Sequence, residues 1–235
     1  MMEHLYDTHF HLDLHKDKWD VIREIEESKI YTIAVTNLPD LYRMEAAEIA
    51  SRFIRFSLGF HPELVHQYKN QIPLMWELLP ETRYIGEVGL DFVDKTHKTE
   101  QLSFFSELIE RCRYDGSKIL TIHSRQAVKE VLEIIGHNFR FKPILHWFTG
   151  NKEETISAIE AGFYFSVNEA MMRSKKFMSL LPLIPSERLL LESDSPFVRF
   201  KTSHSNALLT LSEVIKEVKT NVTLWENFKA ILQSQ

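Results

Sequence analysis

Short apolar, β-branched runs alternate with segments of helical periodicity along the whole chain. The runs that read as strands are residues 4–10, 30–36, 54–60, 84–90, 118–124, 142–148, 163–167 and 188–194. The clearest helix is residues 99–113, where Leu102, Phe105, Leu108, Ile109 and Cys112 recur at helical spacing. Residues 125–136 and 151–161 read the same way, the second opened by Asn151 with Glu154 placed for a capping box and closed by Gly162. An amphipathic helix over 206–219 and a shorter one ending at Leu232 complete the pattern. Eight βα units predict an α/β protein, a single (β/α)8 TIM barrel, with a doubly wound open sheet as the alternative. No repeat, low-complexity tract or linker interrupts residues 1–235, which read as one domain.

Composition narrows the class. Of 235 residues, 44% are hydrophobic and 26% charged, as in an ordinary globular protein, which argues against disorder. Seven glycines are few for an all-β protein built on tight turns. A single cysteine, Cys112, leaves no intrachain disulfide and no cysteine-based zinc site; it falls on an apolar helix stripe and reads as core. The opening MMEHLYDTHFHLD lacks a basic stretch followed by an apolar one, and no run approaches the roughly 18 residues of a membrane span. A reducing, cytoplasmic setting with no membrane partner is expected. The formal charge of −5 argues against a protein that coats DNA electrostatically. It leaves open an enzyme that meets phosphates through bound cations.

The candidate chemistry collects at strand ends. The first strand finishes in Asp7-Thr8-His9-Phe10-His11, and side chains two apart share a strand face, so His9 and His11 can grip one ion. Glu87 lies in GEVGLD (86–91), His123 in IHSR (122–125), His146 in HWFTG (146–150) and Asp194 in LESDSP (191–196). In such barrels the carboxyl ends of the strands carry the active site. Four imidazoles and two carboxylates without a thiolate suit two divalent ions such as Mg, Mn or Zn, with Glu87 able to bridge them.

In their order and spacing, these motifs, together with GFHP (59–62), Gln101 followed by Phe105, YFS (164–166) and the closing stretch from Glu226 to Leu232, resemble the TatD family of metal-dependent deoxyribonucleases. The resemblance implies that His9 and His11 hold the first metal with Asp194, which also orients the attacking water. It implies that Glu87 bridges both metals and that His123 and His146 hold the second. His61 would stand beside the scissile phosphate as a hydrogen-bond donor or proton shuttle, and Arg125 would contact phosphate. The implied function is hydrolysis of DNA phosphodiester bonds, at single-stranded ends, by water activated between two metals. Other members of the wider superfamily bridge their metals with a carbamylated lysine after the fourth strand; Glu87 at that place favours the nuclease branch.

Some readings stay open. Glu192 reads equally as a partner orienting a ligand histidine and as a buried structural carboxylate. Asp7 either supports a ligand or marks strand entry, and Asp91 either orients a ligand or caps the next helix. Trp147 and Phe148 read as core packing, with base stacking as the alternative. His15, His66, His97, His137 and His204 match no motif. Against the family pattern, Ser193 stands where threonine is usual, Asn168 where glycine is usual, and the 196–206 loop is short. A short acidic chain with an altered loop suits the TatD-like subunit of bacterial Qat anti-phage systems, which would bring partner proteins of a defence operon. The competing functions are hydrolysis of a small amide or ester on the same scaffold and a low-activity subunit of a larger complex.

Overall fold

Each expected strand forms inside its expected span in the computed structural model, which describes residues 4–199, 202–219 and 221–233. The strands are β1 (Tyr6–Phe10), β2 (Tyr31–Val35), β3 (Ile54–Ser57), β4 (Tyr84–Gly89), β5 (Ile119–His123), β6 (Lys142–Leu145), β7 (Tyr164–Val167) and β8 (Leu189–Leu191). The helices are α1 (Lys18–Ser28), α2 (Pro39–Glu48), α3 (Ile72–Leu78), α4 (Lys98–Cys112), α5 (Val128–Ile135), α6 (Lys152–Ala161), α7 (Glu169–Arg173), α8 (Lys175–Leu180), α9 (His204–Val218) and α10 (Leu224–Gln233). Neighbouring strands pair in parallel and in sequence order, β1-β2-β3 and β4-β5-β6-β7-β8. An open doubly wound sheet would reverse its order at a switch point, and none occurs here.

The two ladders meet on both sides. Beside β4, Leu58 accepts from Gly86 N (2.9 Å) and donates to Tyr84 O (2.9 Å), one residue past the end of β3. Beside β1, Asp194 N donates to His9 O (2.9 Å) and His11 N to Ser195 O (3.0 Å), past the end of β8. The architecture is therefore the TIM-type (β/α)8 barrel, with seams stitched by residues just outside short strands. The strands run shorter than the apolar runs predicted because their last residues leave the ladder to form the mouth. Trp147 (φ 38°) and Asp194 (φ 51°) take left-handed backbone there, and β8 ends at Leu191, so the turn and not strand alternation aims Glu192 and Asp194.

Helix α4 buries Phe105, Leu108, Ile109 and Cys112 as the periodicity requires, and Phe104 as well. Helix α6 carries the expected capping box: Asn151 Oδ1 accepts from Glu154 N (2.9 Å) and Glu154 Oε2 from Asn151 N (2.7 Å). Gly162 ends it in left-handed conformation. At Gly89 a side chain is excluded, since a Cβ would lie 2.0 Å from His123 O; this close approach sets β4 against β5 at the level of the mouth. In α10, Asn227 Nδ2 donates to Ser186 O (2.7 Å) and Leu189 O (2.8 Å), fastening the lower end of β8. Phe148 is buried edge-on against Phe165 and belongs to the core. No helix among the described residues is long and apolar enough to cross a membrane. Residues 200 and 201 of the 196–206 loop lie outside the described residues.

Candidate metal centre

His9, on β1, and His11, one residue beyond it, turn to the same side, and their Nε2 atoms lie 3.1 Å apart. Asp194 Oδ1 stands 3.7 Å from one and 3.5 Å from the other. Glu87, from β4, is almost wholly buried and is flanked on both sides. Its Oε2 lies 3.7 Å from His9 Nε2 and 3.6 Å from His11 Nε2. Its Oε1 lies 2.6 Å from His123 Nδ1, 3.6 Å from His146 Nε2 and 3.7 Å from His61 Nε2. The four expected ligand histidines, and His61, thus converge around the Glu87 carboxylate, and Asp194 joins them through His9 and His11.

The groups behind them are ordered by buried hydrogen bonds. Asp91 Oδ2 engages His123 Nε2 (2.8 Å), while Asp91 Oδ1 accepts from Val93 N (2.9 Å) and Asp91 N donates to Gln101 Oε1 (2.8 Å). Glu192, fully buried, faces His146 Nδ1 (3.1 Å) and accepts from Trp147 N (3.1 Å), Asn168 Nδ2 (2.8 Å) and Ser166 Oγ. Asp7, also fully buried, accepts from His9 N (3.1 Å) and Ser193 N (2.9 Å) and pairs with His204 Nε2 (2.8 Å). Asp91 and Glu192 each orient a histidine of the cluster, and Asp7 braces the β1 backbone. His204 had no motif to announce it: its partner lies 197 positions away in sequence.

Electrostatics follow from this crowding. Burial alone would lower the His123 imidazole, but Glu87 and Asp91 hold it up at about 9. Burial likewise opposes the charge on His146, and Glu192 with Asp194 raises it to about 10. Burial would raise the Glu87 carboxyl; the surrounding imidazoles, His61 and His123 foremost, hold it well below its ordinary value. At His61 burial wins and the imidazole falls to about 4. His9 is lowered by burial and by its neighbour His146, whose ring stacks on it at 3.6 Å.

The donor set fits divalent cations. Asp194 Oδ1 is buried without a hydrogen-bond partner while facing two imidazole nitrogens, an arrangement that is expensive unless a cation satisfies it. Three trios have their ligand atoms within 4.8 Å of one another: His9, His11 and Asp194; His61, Glu87 and His123; and His9, His146 and Glu192. In this side-chain arrangement His61 stands in the trio with Glu87 and His123, while His146 is turned to Glu192. A cavity of about 500 Å³ opens over the cluster, with Trp147 and Phe197 in its wall and Arg125 exposed on its rim.

Residues 6–233 match the family model described as TatD related DNase. An uncharacterized metal-dependent hydrolase of Bacillus subtilis, YabD, is 28% identical over 233 residues, covering 92% of this chain and 91% of that protein. The 3'-5' ssDNA/RNA exonuclease TatD of Erwinia billingiae is 27% identical over 195 residues, covering 78% and 74%. The crystal structure of YjjV, a TatD homologue from Escherichia coli K12, superposes with a TM-score of 0.78 at 18% identity, covering 97% and 95% of the two chains.

Proposed function

We propose, for a chain that belongs to the TatD-related DNase family and is a metal-dependent hydrolase, that it cleaves phosphodiester bonds at single-stranded DNA ends with a two-metal centre. The observation that carries this reading is Glu87, whose two oxygens face different imidazole sets. His9, His11 and Asp194 would hold one divalent ion and His123 with His146 the other, with Glu87 shared between them. Ions bound there supply a water of lowered pKa and charge to offset that of the phosphate. With Oδ1 turned to the two imidazoles, Asp194 would use its other carboxylate oxygen to align the attacking water or accept its proton. His61 Nδ1 accepts from Glu63 N (3.3 Å), which puts its proton on Nε2, on the side of Glu87. Neutral at working pH, His61 serves as a hydrogen-bond donor to phosphate and not as the acid that protonates the leaving oxygen. Arg125 on the rim contacts a neighbouring phosphate.

End-labelled single- and double-stranded DNA, incubated with Mg, Mn or no metal beside Asp194→Ala, tests this. Metal-dependent cleavage is expected, lowered on the order of 10² to 10⁴-fold in the variant. Equal cleavage by the variant rejects the site. Absence of cleavage of any DNA by the unaltered protein rejects the nuclease reading.

A further inference from the structure

We propose that Phe197 is a stacking platform for an unpaired nucleobase next to the scissile phosphodiester. The inference rests on the nuclease reading of the cluster and adds what holds the nucleotide there. Ten large apolar side chains are exposed among the described residues, and Phe197, at 62%, is the one of them that lines the cavity over the cluster. The others do not line it. A phenyl ring left in water at the mouth contributes little to folding, because its apolar area is not removed from solvent.

Its position is fixed rather than incidental. The turn that carries it is closed by Val198 N donating to Asp194 O (3.0 Å), and Ser195 O accepts from His11 N (3.0 Å). The Phe197 ring stands perpendicular to that of His11, with centroids 5.1 Å apart. A base laid on its open face would therefore keep a constant offset from His9, His11 and Asp194. Trp147 lines the same cavity and Arg125 offers charge for a phosphate. Every base has a π-face, so such a platform tolerates sequence. A base inside a duplex is already stacked and paired, so the platform can be used only by single strands or frayed ends.

The test uses the full chain loaded with Mn2+ and two single-stranded oligonucleotides, one with bases and one entirely abasic. Phe197→Ala should lose roughly ten- to a hundred-fold in kcat/KM on the first, mainly through KM, and almost nothing on the second. Phe197→Trp should retain activity, whereas Phe197→Leu, apolar but without a π-face, should behave like the alanine variant. In a parallel binding measurement, a 2-aminopurine base near the strand end should be quenched on mixing, before cleavage, and not in Phe197→Ala. Equal losses on both strands, or full activity of Phe197→Leu, would overturn the platform and leave Phe197 as packing for His11. Unquenched 2-aminopurine on a strand that is cut overturns the platform alone. Quenching that depends on Phe197, without cleavage of any DNA, sustains the platform and overturns the nuclease reading.

Discussion

Glu192 is cut off from water, and its carboxylate is met by Trp147 N, Asn168 Nδ2, Ser166 Oγ and His146 Nδ1. Three of these partners fix the carboxylate, and the fourth is the histidine it orients. Glu192→Gln keeps the shape and removes the charge, so the His146 ring loses its anchor. A roughly 10- to 100-fold loss of Mn2+ affinity is expected, read by titration calorimetry, with the fold intact by circular dichroism. Unchanged affinity would reduce Glu192 to a structural carboxylate. At this scale much was legible in the sequence, because a period of two in His9 and His11 and carboxylates at strand ends are local signals. Asn168, standing where glycine is usual, proves to serve twice, donating to Glu192 and capping α7 through Met171 N (2.9 Å). Ser193 in place of threonine keeps the Asp7 contact because that contact uses its backbone N–H. What could not be read was pairing between distant residues, as with Asp7 and His204, since no periodicity encodes it.

Elements with strong local codes matched their expectation closely. Helix α6 begins and ends where Asn151 and Gly162 place it, since a capping box satisfies two of the otherwise unpaired N–H groups of its first turn. Asn151→Ala should therefore cost about 1 kcal/mol of stability in urea unfolding, with DNA cleavage unchanged. A loss near zero would mean that the Glu154 contact or water replaces the cap. Elements without such codes came out shorter. β8 keeps three residues of a longer apolar run, and β6 keeps four of the run over 142–148. Their limits are set by the need to turn the chain at the mouth, a tertiary demand that local propensity does not contain.

Over the whole molecule the sequence order of strands and the acidic balance were readable from the start, whereas the seams beside β3 and β8 emerged only with backbone hydrogen bonds. A chain of formal charge −5 has little to offer a long stretch of phosphates. Binding of Mn2+-loaded protein to single-stranded DNA should show a shallow slope of log affinity against log salt, about −1 to −3, matching a few phosphates. A slope of about −5 or steeper would reveal an extended basic track instead. The seam between β1 and β8 has one more consequence. His9 and His11 leave the ribosome early, but the backbone clasp with Asp194 and Ser195 cannot form until nearly two hundred residues have been made. Contacts so far apart in sequence are late to close. Five of the six clustered side chains are therefore made before Asp194 can join them, and the cluster is complete only once the seam between the first and last strands has closed.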